Sequence, residues 1–194
     1  MKILIVAATK SEVEQERFVN CDLLITGVGM LNSAISLTKT LSNSNYDLII
    51  NMGVAGSFSD DLEIGLVVEV IQDIVSELGY EDADGFTLFS NFNIKSRFTN
   101  QPRTRLLKAK SITVNTVHGN KKTIKAVRER LKPDIENMEG AAIFQVCEEF
   151  GVACLQIRSI SNKIEQRNKD NWDLPLAIKN LNKEVEKIIA VLCN

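Results

Sequence analysis

The chain has 194 residues, 44% of them hydrophobic and 25% charged, and this composition predicts one globular domain spanning 1–194 with a sizeable core. The formal net charge of −2 leaves no basic excess for neutralising phosphates, so a nucleic-acid partner is disfavoured. No apolar stretch approaches the ~20 residues of a membrane-spanning helix, so we expect a cytoplasmic protein with a small ligand and no membrane partner.

Cysteine and histidine usage argues against disulfides and metal sites. The cysteines Cys21, Cys147, Cys154 and Cys193 show no CxxC spacing, and three of them sit in apolar runs where a thiol acts as a small hydrophobe. The single histidine, His118, has no partner at metal-ligand spacing. Because a lone histidine in a loop is more often structural, we place it outside the expected catalytic set. Catalysis should use carboxylates, amides and backbone groups, without a metal or an organic cofactor.

Short β-branched runs alternate with longer segments of helical period, which predicts an α/β fold with a largely parallel sheet covered by helices. The predicted strands lie at about 2–8, 22–26, 47–51, 66–76, 112–116, 134–137 and 153–160. The predicted helices lie at about 10–18, 30–42, 121–131, 139–150 and 174–192. Pro133 and Gly151 stand where they would end two of these helices.

The stretch 81–105 is rich in turn-forming residues and has no clear period. It includes Asp82, Asp84, Gly85, Asn91, Asn93 and Pro102. This composition predicts a long loop over the sheet, and loops of that kind often cover active sites.

Four segments place glycine or a polar side chain at the carboxyl end of a predicted strand, where open α/β sheets bind ligands. They span 26–29, 51–57, 136–142 and 157–162. The glycines of the first two, Gly27 and Gly56 among them, would let a ribose or a base approach the backbone closely. A tight strand-to-helix turn explains the first segment equally well, and a β-bulge or a crowded crossing explains the second.

Two carboxylates and one amide stand out as candidate catalytic groups. Glu139 falls at a strand-to-helix junction, where it is either a cap favoured by the helix dipole or a ligand whose two oxygens bind the 2′ and 3′ hydroxyls of a ribose. Glu12 lies just past the first strand, where periodicity alone describes an ordinary surface glutamate. Asn162 ends an apolar strand and is either a turn residue or a reader of a ligand.

Taken together and in order, Glu12 and the segments 27–29, 51–56, 137–142 and 158–162 resemble the purine nucleoside phosphorylase/nucleosidase superfamily. The resemblance runs from residue 1 to about 192. It implies a single α/β domain with a central mixed, largely parallel sheet flanked by helices, a small-molecule nucleoside substrate and a homodimer.

Two residues differ from one family of that superfamily and make a second family the better match. The methylthioadenosine/S-adenosylhomocysteine nucleosidases carry an aspartate where this chain has Asn162, and usually a serine where it has Val54. The segments 112–119 and 161–172 are instead similar to futalosine hydrolases. The resemblance therefore implies hydrolysis of the N-ribosidic bond of futalosine, which yields hypoxanthine and dehypoxanthine futalosine in menaquinone biosynthesis.

Hydrogen-bond chemistry at Asn162 independently favours a 6-oxopurine. An amide can donate to O6 of hypoxanthine while its oxygen accepts from a protonated N7. Adenine instead presents an acceptor at N7 and a donor at N6, which match a protonated aspartate. A site built for one pattern leaves buried groups unpaired with the other.

The resemblance also assigns roles to the candidates. Glu12 would deprotonate the attacking water, Glu139 would hold the ribose hydroxyls beside an oxocarbenium-like transition state, and Asn162 would stabilise the departing base. The residues expected to bind the substrate are Gly27, Val54, Ala55, Gly56, Val114, Asn115, Thr116, Met138, Arg158 and Ser161. The carboxylate of the benzoate-bearing group at C5′ of futalosine has three candidate partners, Arg103, Arg105 and Arg167.

Three other functions stay open at this level. A purine nucleoside phosphorylase would need a basic anion site beside the turn at 27–29, and the following residues 30–33 contain no arginine or lysine. An adenine-specific nucleosidase is opposed by Asn162. A nucleoside-binding sensor would keep the fold, but binding alone would not require the water-activating Glu12.

Overall fold

Alternating strands and helices build the fold in the computed structural model, which describes residues 1–83, 85–89 and 94–193. The strands are β1 (Ile3–Ala7), β2 (Asp22–Ile25), β3 (Leu48–Ser57), β4 (Val67–Val75), β5 (Gly79–Asp82), β6 (Gly85–Leu88), β7 (Arg97–Thr99), β8 (Leu107–Thr113), β9 (Ile135–Asn137) and β10 (Ala153–Lys163). The helices are α1 (Met30–Leu41), α2 (Lys121–Leu131), α3 (Gly140–Glu149) and α4 (Leu174–Leu192). Single 3-10 turns occupy Lys10–Glu12, Gln15–Arg17 and Lys169–Asn171.

A mixed, mostly parallel sheet forms the centre of the molecule. Strand β3 pairs in parallel with β1 and β10, and its end pairs antiparallel with β9. Strand β2 extends the sheet beyond β1, while β4 and β8 continue it from β10 around to β9. The strands β3, β10, β4, β8 and β9 therefore close into a ring. The predicted α/β class with a central mixed, largely parallel sheet is confirmed.

Helices cover both faces of this sheet, which explains why its central strands are apolar along most of their length. Helices α1 and α3 bury Leu37 and Ile143 in the cluster on one face. Helix α4 buries Leu181 and Val185 on the other. Each such side chain contributes about 1.5–3 kcal/mol when fully buried. Within the described residues, no helix is both long and apolar enough to cross a membrane.

The ends of two helices follow the signals in the sequence. Helix α2 ends at Leu131, and Lys132 then adopts the left-handed conformation (φ 47°) ahead of Pro133. Helix α3 ends at Glu149 and is followed by Gly151 with φ 64°. Both predicted stops are confirmed, because proline cannot continue a helix and glycine tolerates the left-handed cap.

The predicted helix over 10–18 is wrong. Two separate 3-10 turns replace it, and Val13 between them is extended (φ −122°, ψ 120°). The physical reason is a pair of long-range contacts. The Glu12 carboxylate accepts from Val54 N–H, and the backbone of Glu14 donates to the Asn182 side chain on α4 at 2.8 Å. These contacts hold the chain against the sheet and interrupt a helical path.

The predicted loop over 81–105 and the predicted strand over 112–116 also need correction. The hairpin β5–β6 and the edge strand β7 form part of the first stretch, because β7 finds an antiparallel partner in β4. Asp84, Asn91 and Asn93 lie outside the described residues. Strand β8 begins at Leu107 and ends at Thr113, since its alternating Lys108 and Lys110 hide a strand that the apolar residues alone do not indicate.

Candidate active site

A cavity of about 290 Å³ opens at the carboxyl ends of β1, β3, β9 and β10. Glu12, Glu139 and Asn162, the three expected catalytic groups, all line it. So do five residues of the expected substrate-binding set, Val54, Ala55, Gly56, Met138 and Ser161. Residues far apart in the sequence thus share one small space, because the parallel strands end at the same edge of the sheet.

Glu12 is held by a turn that follows β1 directly. Its Oε2 accepts from the backbone N–H of Thr9 at 2.9 Å and from the Thr9 hydroxyl at 3.0 Å, forming a capping box. Its Oε1 accepts from the backbone N–H of Val54 at 3.3 Å. The side chain of Asn182 donates to the Glu12 carbonyl at 2.9 Å. The carboxylate is therefore fixed beside the small-residue segment of β3, with one weakly engaged oxygen.

Glu139 sits at the N-cap of α3 and reaches across to the glycine turn before α1. Its Oε1 accepts from the backbone N–H of Gly29 at 2.9 Å, and Gly29 has a positive φ of 94°, which favours glycine. Burial raises the pKa of Glu139. The Gly29 hydrogen bond and the charge of Arg158 oppose this increase, whereas the charge of Glu12 adds to it. The two carboxylates thus share one electrostatic environment.

Asn137 anchors the backbone of this junction. Its Oδ1 accepts from the N–H groups of Glu139 and Gly140 at 2.9 and 2.6 Å, and its Nδ2 donates to the Asp73 carboxylate at 2.9 Å. A Cβ atom on Gly140 would lie only 2.3 Å from Asp73 Oδ2 and 2.2 Å from the Gln156 amide. Glycine is required here because the helix start packs directly on buried polar groups.

Arg158 lies behind the cavity and does not line it. Its guanidinium donates to Asn51 Oδ1 at 2.6 Å and sits fully buried. Burial lowers the pKa of Arg158, while the charges of Glu139, Asp73 and Glu12 oppose that decrease. The arrangement balances buried acidic groups with a buried cation.

Asn162 projects from the end of β10 at a β-bulge that brings it opposite Gly56 of β3. The Ser161 hydroxyl donates to its Oδ1 at 2.8 Å, and its Nδ2 donates to the Lys163 carbonyl at 3.0 Å. These two bonds orient the amide and leave it one further lone pair and one further N–H. A Cβ atom on Gly56 would come within 2.9 Å of Ile164 and 3.2 Å of Asn162 Nδ2, so glycine leaves room for both.

Four other expected binding residues lie outside the cavity. Gly27 forms the turn before α1, with φ 87°, and its neighbour Val28 lines the cavity instead. Val114 is fully buried in the apolar cluster against α2. Asn115 donates to the Glu77 carboxylate at 2.9 Å, and Thr116 is exposed. Because β8 ends at Thr113, the chain reaches the cavity only at Val117 and His118.

Several lining residues were not expected from the sequence. They include Thr9, Ser11, Val117, His118, Glu136, Lys163, Glu165, Asn168, Trp172, Leu174 and Ile178. Most of them follow β10 or belong to the loop after β8, where no local pattern marks a ligand. The resemblance of 112–119 and 161–172 to one enzyme family was the signal that could have identified them.

Of the three arginines named as partners for a distant carboxylate, only Arg167 lines the cavity. Its guanidinium lies 5.3 Å from the centroid of the Trp172 ring, which also lines the cavity. Arg103 donates through its backbone to Glu69 at 2.7 Å, on another side of the molecule, and Arg105 is exposed. The second cation at the cavity, Lys163, donates to three backbone carbonyls, those of Ser59, Asp60 and Leu62.

Within the residues that the structure describes, no cluster of histidine, cysteine and carboxylate groups has the arrangement of a metal site. The cavity instead combines four glutamate carboxylates, three asparagine amides, one histidine, one lysine and one arginine with an apolar wall. This set of groups can bind a polyhydroxylated sugar, hydrogen-bond the edge of a flat base and activate water.

Comparison with known proteins places the chain among nucleoside-cleaving and phosphorolytic enzymes. A family model described as the phosphorylase superfamily matches residues 19–194. The chain is 28% identical to the futalosine hydrolase of Streptomyces coelicolor over 187 residues, covering 88% of this chain and 79% of that protein. It is 31% identical to the 5′-methylthioadenosine/S-adenosylhomocysteine nucleosidase of Shewanella halifaxensis over 176 residues, covering 78% of this chain and 73% of that protein.

Solved structures share the fold along nearly the whole chain. A 5′-methylthioadenosine/S-adenosylhomocysteine nucleosidase from Helicobacter pylori with butyl-thio-DADMe-Immucillin-A has a TM-score of 0.86 at 17% identity, covering 98% of each chain. The native futalosine hydrolase of Helicobacter pylori strain 26695 has a TM-score of 0.86 at 19% identity, again covering 98% of each chain. At these identities the likeness concerns the fold alone.

Proposed function

The chain belongs to the phosphorylase superfamily and is a nucleosidase, and we propose that it hydrolyses the N-ribosidic bond of futalosine. The observation that carries the proposal is the cavity in which Glu12 and Glu139 lie together with Asn162. Carboxylates suit the sugar and the water, and the amide suits the base. The products are hypoxanthine and dehypoxanthine futalosine, and the corresponding pathway is menaquinone biosynthesis.

The chemical step uses the two carboxylates differently. Glu139 binds the ribose hydroxyls and places negative charge near the cation that develops as the C1′–N9 bond breaks. Met138, next to it in the cavity wall, packs against the sugar. Glu12 takes a proton from water as the water oxygen bonds to C1′, a role worth about 10²- to 10⁴-fold in rate. Its hydrogen bonds from Thr9 and Val54 hold it ready for this contact.

Base recognition rests on Asn162. Ser161 donates to Oδ1, which orients Nδ2 as the donor toward O6 and leaves Oδ1 free to accept a second hydrogen bond from N7–H of hypoxanthine. Adenine would place its N6 amino donor against the Nδ2 donor. The amide therefore favours 6-oxopurine nucleosides over methylthioadenosine, which is the substrate class of the other relatives by name.

Water, and not phosphate, is the proposed nucleophile. The amide of Gly29 in the glycine turn already donates to Glu139, so the turn presents a carboxylate to the cavity where an anion would otherwise bind. Of the two cations among the lining residues, Lys163 is engaged by three carbonyls. This distribution of charge supports hydrolysis over phosphorolysis.

Arg167 is the proposed partner for the carboxylate of futalosine. It carries a guanidinium at the rim of the cavity, it forms no ion pair within the described part of the chain, and Trp172 beside it offers an aromatic face. A benzoate can stack on such a face while its carboxylate pairs with the guanidinium. Methylthioadenosine, which lacks an acidic group, would leave this arginine unused.

We also propose that the protein is a homodimer in the cytoplasm. Val28, Leu31 and Ile35 form an exposed apolar strip along the start of α1, and Val28 lines the cavity as well. Burial of this strip against a second copy would remove apolar surface from water close to the site. Sedimentation analysis of the purified protein tests the proposal, and a monomer at micromolar concentration would contradict it.

The function is tested by incubating the purified protein with futalosine in phosphate-free buffer and measuring released hypoxanthine by chromatography. We expect full turnover without phosphate and no increase when phosphate is added. Strict dependence on phosphate would replace the hydrolase by a phosphorylase. Absence of base release from futalosine, inosine and methylthioadenosine alike would favour a nucleoside-binding sensor.

A further inference from the structure

A histidine and a glutamate form a buried pair in the wall of the cavity. His118 is the only histidine in the chain. Its Nδ1 lies 2.6 Å from Glu136 Oε2, and its backbone N–H donates to Glu136 Oε1 at 3.0 Å. The side chains of His118 and Glu136 are only 12% and 4% exposed, and both residues line the cavity. The double contact fixes the imidazole in one orientation.

The strand register locates this pair relative to Asn162. Glu136 of β9 is directly paired with Gly56 of β3, and Gly56 is directly paired with Asn162 of β10. Neighbouring strands are about 4.8 Å apart, so the backbones of Glu136 and Asn162 are about 10 Å apart with Gly56 between them. Directly paired residues project to the same face of a sheet. The histidine pair and Asn162 therefore flank the same part of the cavity from opposite sides.

The second ring nitrogen of His118 is available to a ligand. Glu136 accepts from Nδ1–H, so the proton on that nitrogen is fixed by the hydrogen bond, and Nε2 is the free atom. Within the described residues Nε2 has no hydrogen-bond partner. Among the described residues, four fully buried side-chain polar atoms have no hydrogen-bond partner, and they are Arg130 Nε, Gln156 Oε1, Arg158 Nε and Ser159 Oγ. Nε2 of His118 is not one of them, so this nitrogen retains some accessible surface. Nε2 is therefore an unpaired atom with accessible surface on a residue that lines the cavity, and it can accept or donate a hydrogen bond to a ligand there.

Departure of a purine requires a proton that Asn162 cannot supply. As the C1′–N9 bond breaks, its electron pair goes to the base, which becomes anionic unless a ring nitrogen is protonated. An amide offers hydrogen bonds but does not transfer a proton near neutral pH. Glu12 cannot supply this proton either, because its proposed role is to accept a proton from water. The reaction therefore needs a separate acid on the base side of the cavity.

We propose that His118, held by Glu136, is the general acid that protonates the departing purine. This role rests on the proposed hydrolysis of a 6-oxopurine nucleoside, and it identifies the source of the proton that the departing base receives. The imidazolium gives its Nε2 proton to a ring nitrogen of the base as the C1′–N9 bond breaks, while water loses a proton to Glu12 and its oxygen bonds to C1′. Glu12 then releases its proton to solvent and His118 takes one up, so the enzyme returns to its starting state.

Other charged groups near the pair do not replace it. The cavity also contains the carboxylates of Glu12, Glu139 and Glu165 and the cations Lys163 and Arg167, while Phe58 separates His118 from Arg128. Glu139 is bound to Gly29 on the sugar side, and Glu165 accepts from Asn171 at 2.7 Å. Among these groups only His118 combines a transferable proton with a free nitrogen opposite Asn162.

The test compares two substitutions of one residue with a matched surface control. His118→Asn keeps a donor in the position of Nδ1 for Glu136 but removes Nε2, and His118→Gln removes the contact with Glu136. Lys121→Gln, at the exposed start of α2, controls for a charge change in the same region. Rates of hypoxanthine release from futalosine are measured across pH, and the imidazole of wild-type His118 is titrated by NMR, where a single histidine gives an unambiguous signal.

We expect His118→Asn and His118→Gln to lower kcat by about 10²- to 10⁴-fold with KM changed less than threefold. The alkaline decline of wild-type kcat should follow the NMR titration of His118 and disappear in both variants. A kcat within threefold of wild type, or an unchanged pH profile at reduced rate, would overturn the proposal. If wild type cleaves methylthioadenosine but not futalosine, the proposed substrate fails, and the same pH comparison with methylthioadenosine still decides the role of His118.

Discussion

Replacing Asn162 by aspartate should change the preferred base. The structure shows that Asn162 Nδ2 donates to the Lys163 carbonyl and that Ser161 donates to Oδ1. An aspartate keeps the acceptor for Ser161, and when protonated it can donate to N7 of adenine and accept from N6. Against hypoxanthine, the ionised aspartate has no donor for O6 and loses that one hydrogen bond, worth about 1–3 kcal/mol. A loss of about 1–3 kcal/mol corresponds to a change of about 5- to 150-fold in relative specificity.

The assay measures kcat/KM for futalosine and for methylthioadenosine with wild type and Asn162→Asp, and compares the ratio of the two values. Asn168→Asp is the matched control. It makes the same chemical change in another lining residue, whose side chain caps the turn at Lys169–Asn171, a position where aspartate is equally suitable. A specificity ratio that stays within threefold of wild type, or that changes equally in both variants, would refute the reasoning about the base.

Three further predictions concern the carboxylates and the arginine. Glu12→Gln should lower kcat for futalosine by about 10²- to 10⁴-fold, and unchanged hypoxanthine release would remove Glu12 from the mechanism. Tm should also fall slightly, because the amide NH2 replaces an acceptor of Thr9 or Val54. Arg167→Met should lower the ratio of kcat/KM for futalosine to kcat/KM for inosine by about tenfold in low salt. The decrease should be smaller in high salt, because salt screens an exposed ion pair. An unchanged ratio would show that the futalosine carboxylate binds elsewhere. Burial raises the pKa of Glu139, so the folded chain binds that proton more tightly than the unfolded chain and loses stability as pH rises through the raised pKa. Glu139→Gln should therefore raise Tm near neutral pH and have little effect on Tm at a pH where the Glu139 carboxyl is protonated. Calorimetry at the two pH values measures this difference, and a lower Tm of the variant near neutral pH would contradict the expected direction.

Local sequence patterns were sufficient to predict most of the helices and strands. Helices α2 and α4 begin and end where the sequence predicts, since the N-caps Asn120 and Asp173 carry local signals. The errors arise where distant contacts decide the structure. The segment after β1 is not a helix, because Val54 and Asn182 bind its polar groups. Strand β7 exists because β4 offers it an edge, which no short-range pattern encodes.

The lining of the cavity was predictable where a residue at the carboxyl end of a strand enters it. Asn162 follows this rule, and so does the small-residue segment of β3. The rule failed for Asn115, because the end of β8 lies before the predicted boundary, and for Arg158, whose side chain points into the buried network and not into the cavity. His118 and Glu136 were missed because their relation is purely spatial, joining the loop after β8 to β9.

The central claim, hydrolysis of a 6-oxopurine nucleoside with an acidic 5′ group, is tested most directly by competition. The wild-type protein is given equal concentrations of futalosine and methylthioadenosine without phosphate, and the initial release of hypoxanthine and adenine is measured in one mixture. The ratio of the two initial rates equals the ratio of the kcat/KM values. The arrangement of Asn162 and Arg167 predicts that hypoxanthine dominates by about 100-fold or more. Equal release, or release of adenine in excess, would contradict it.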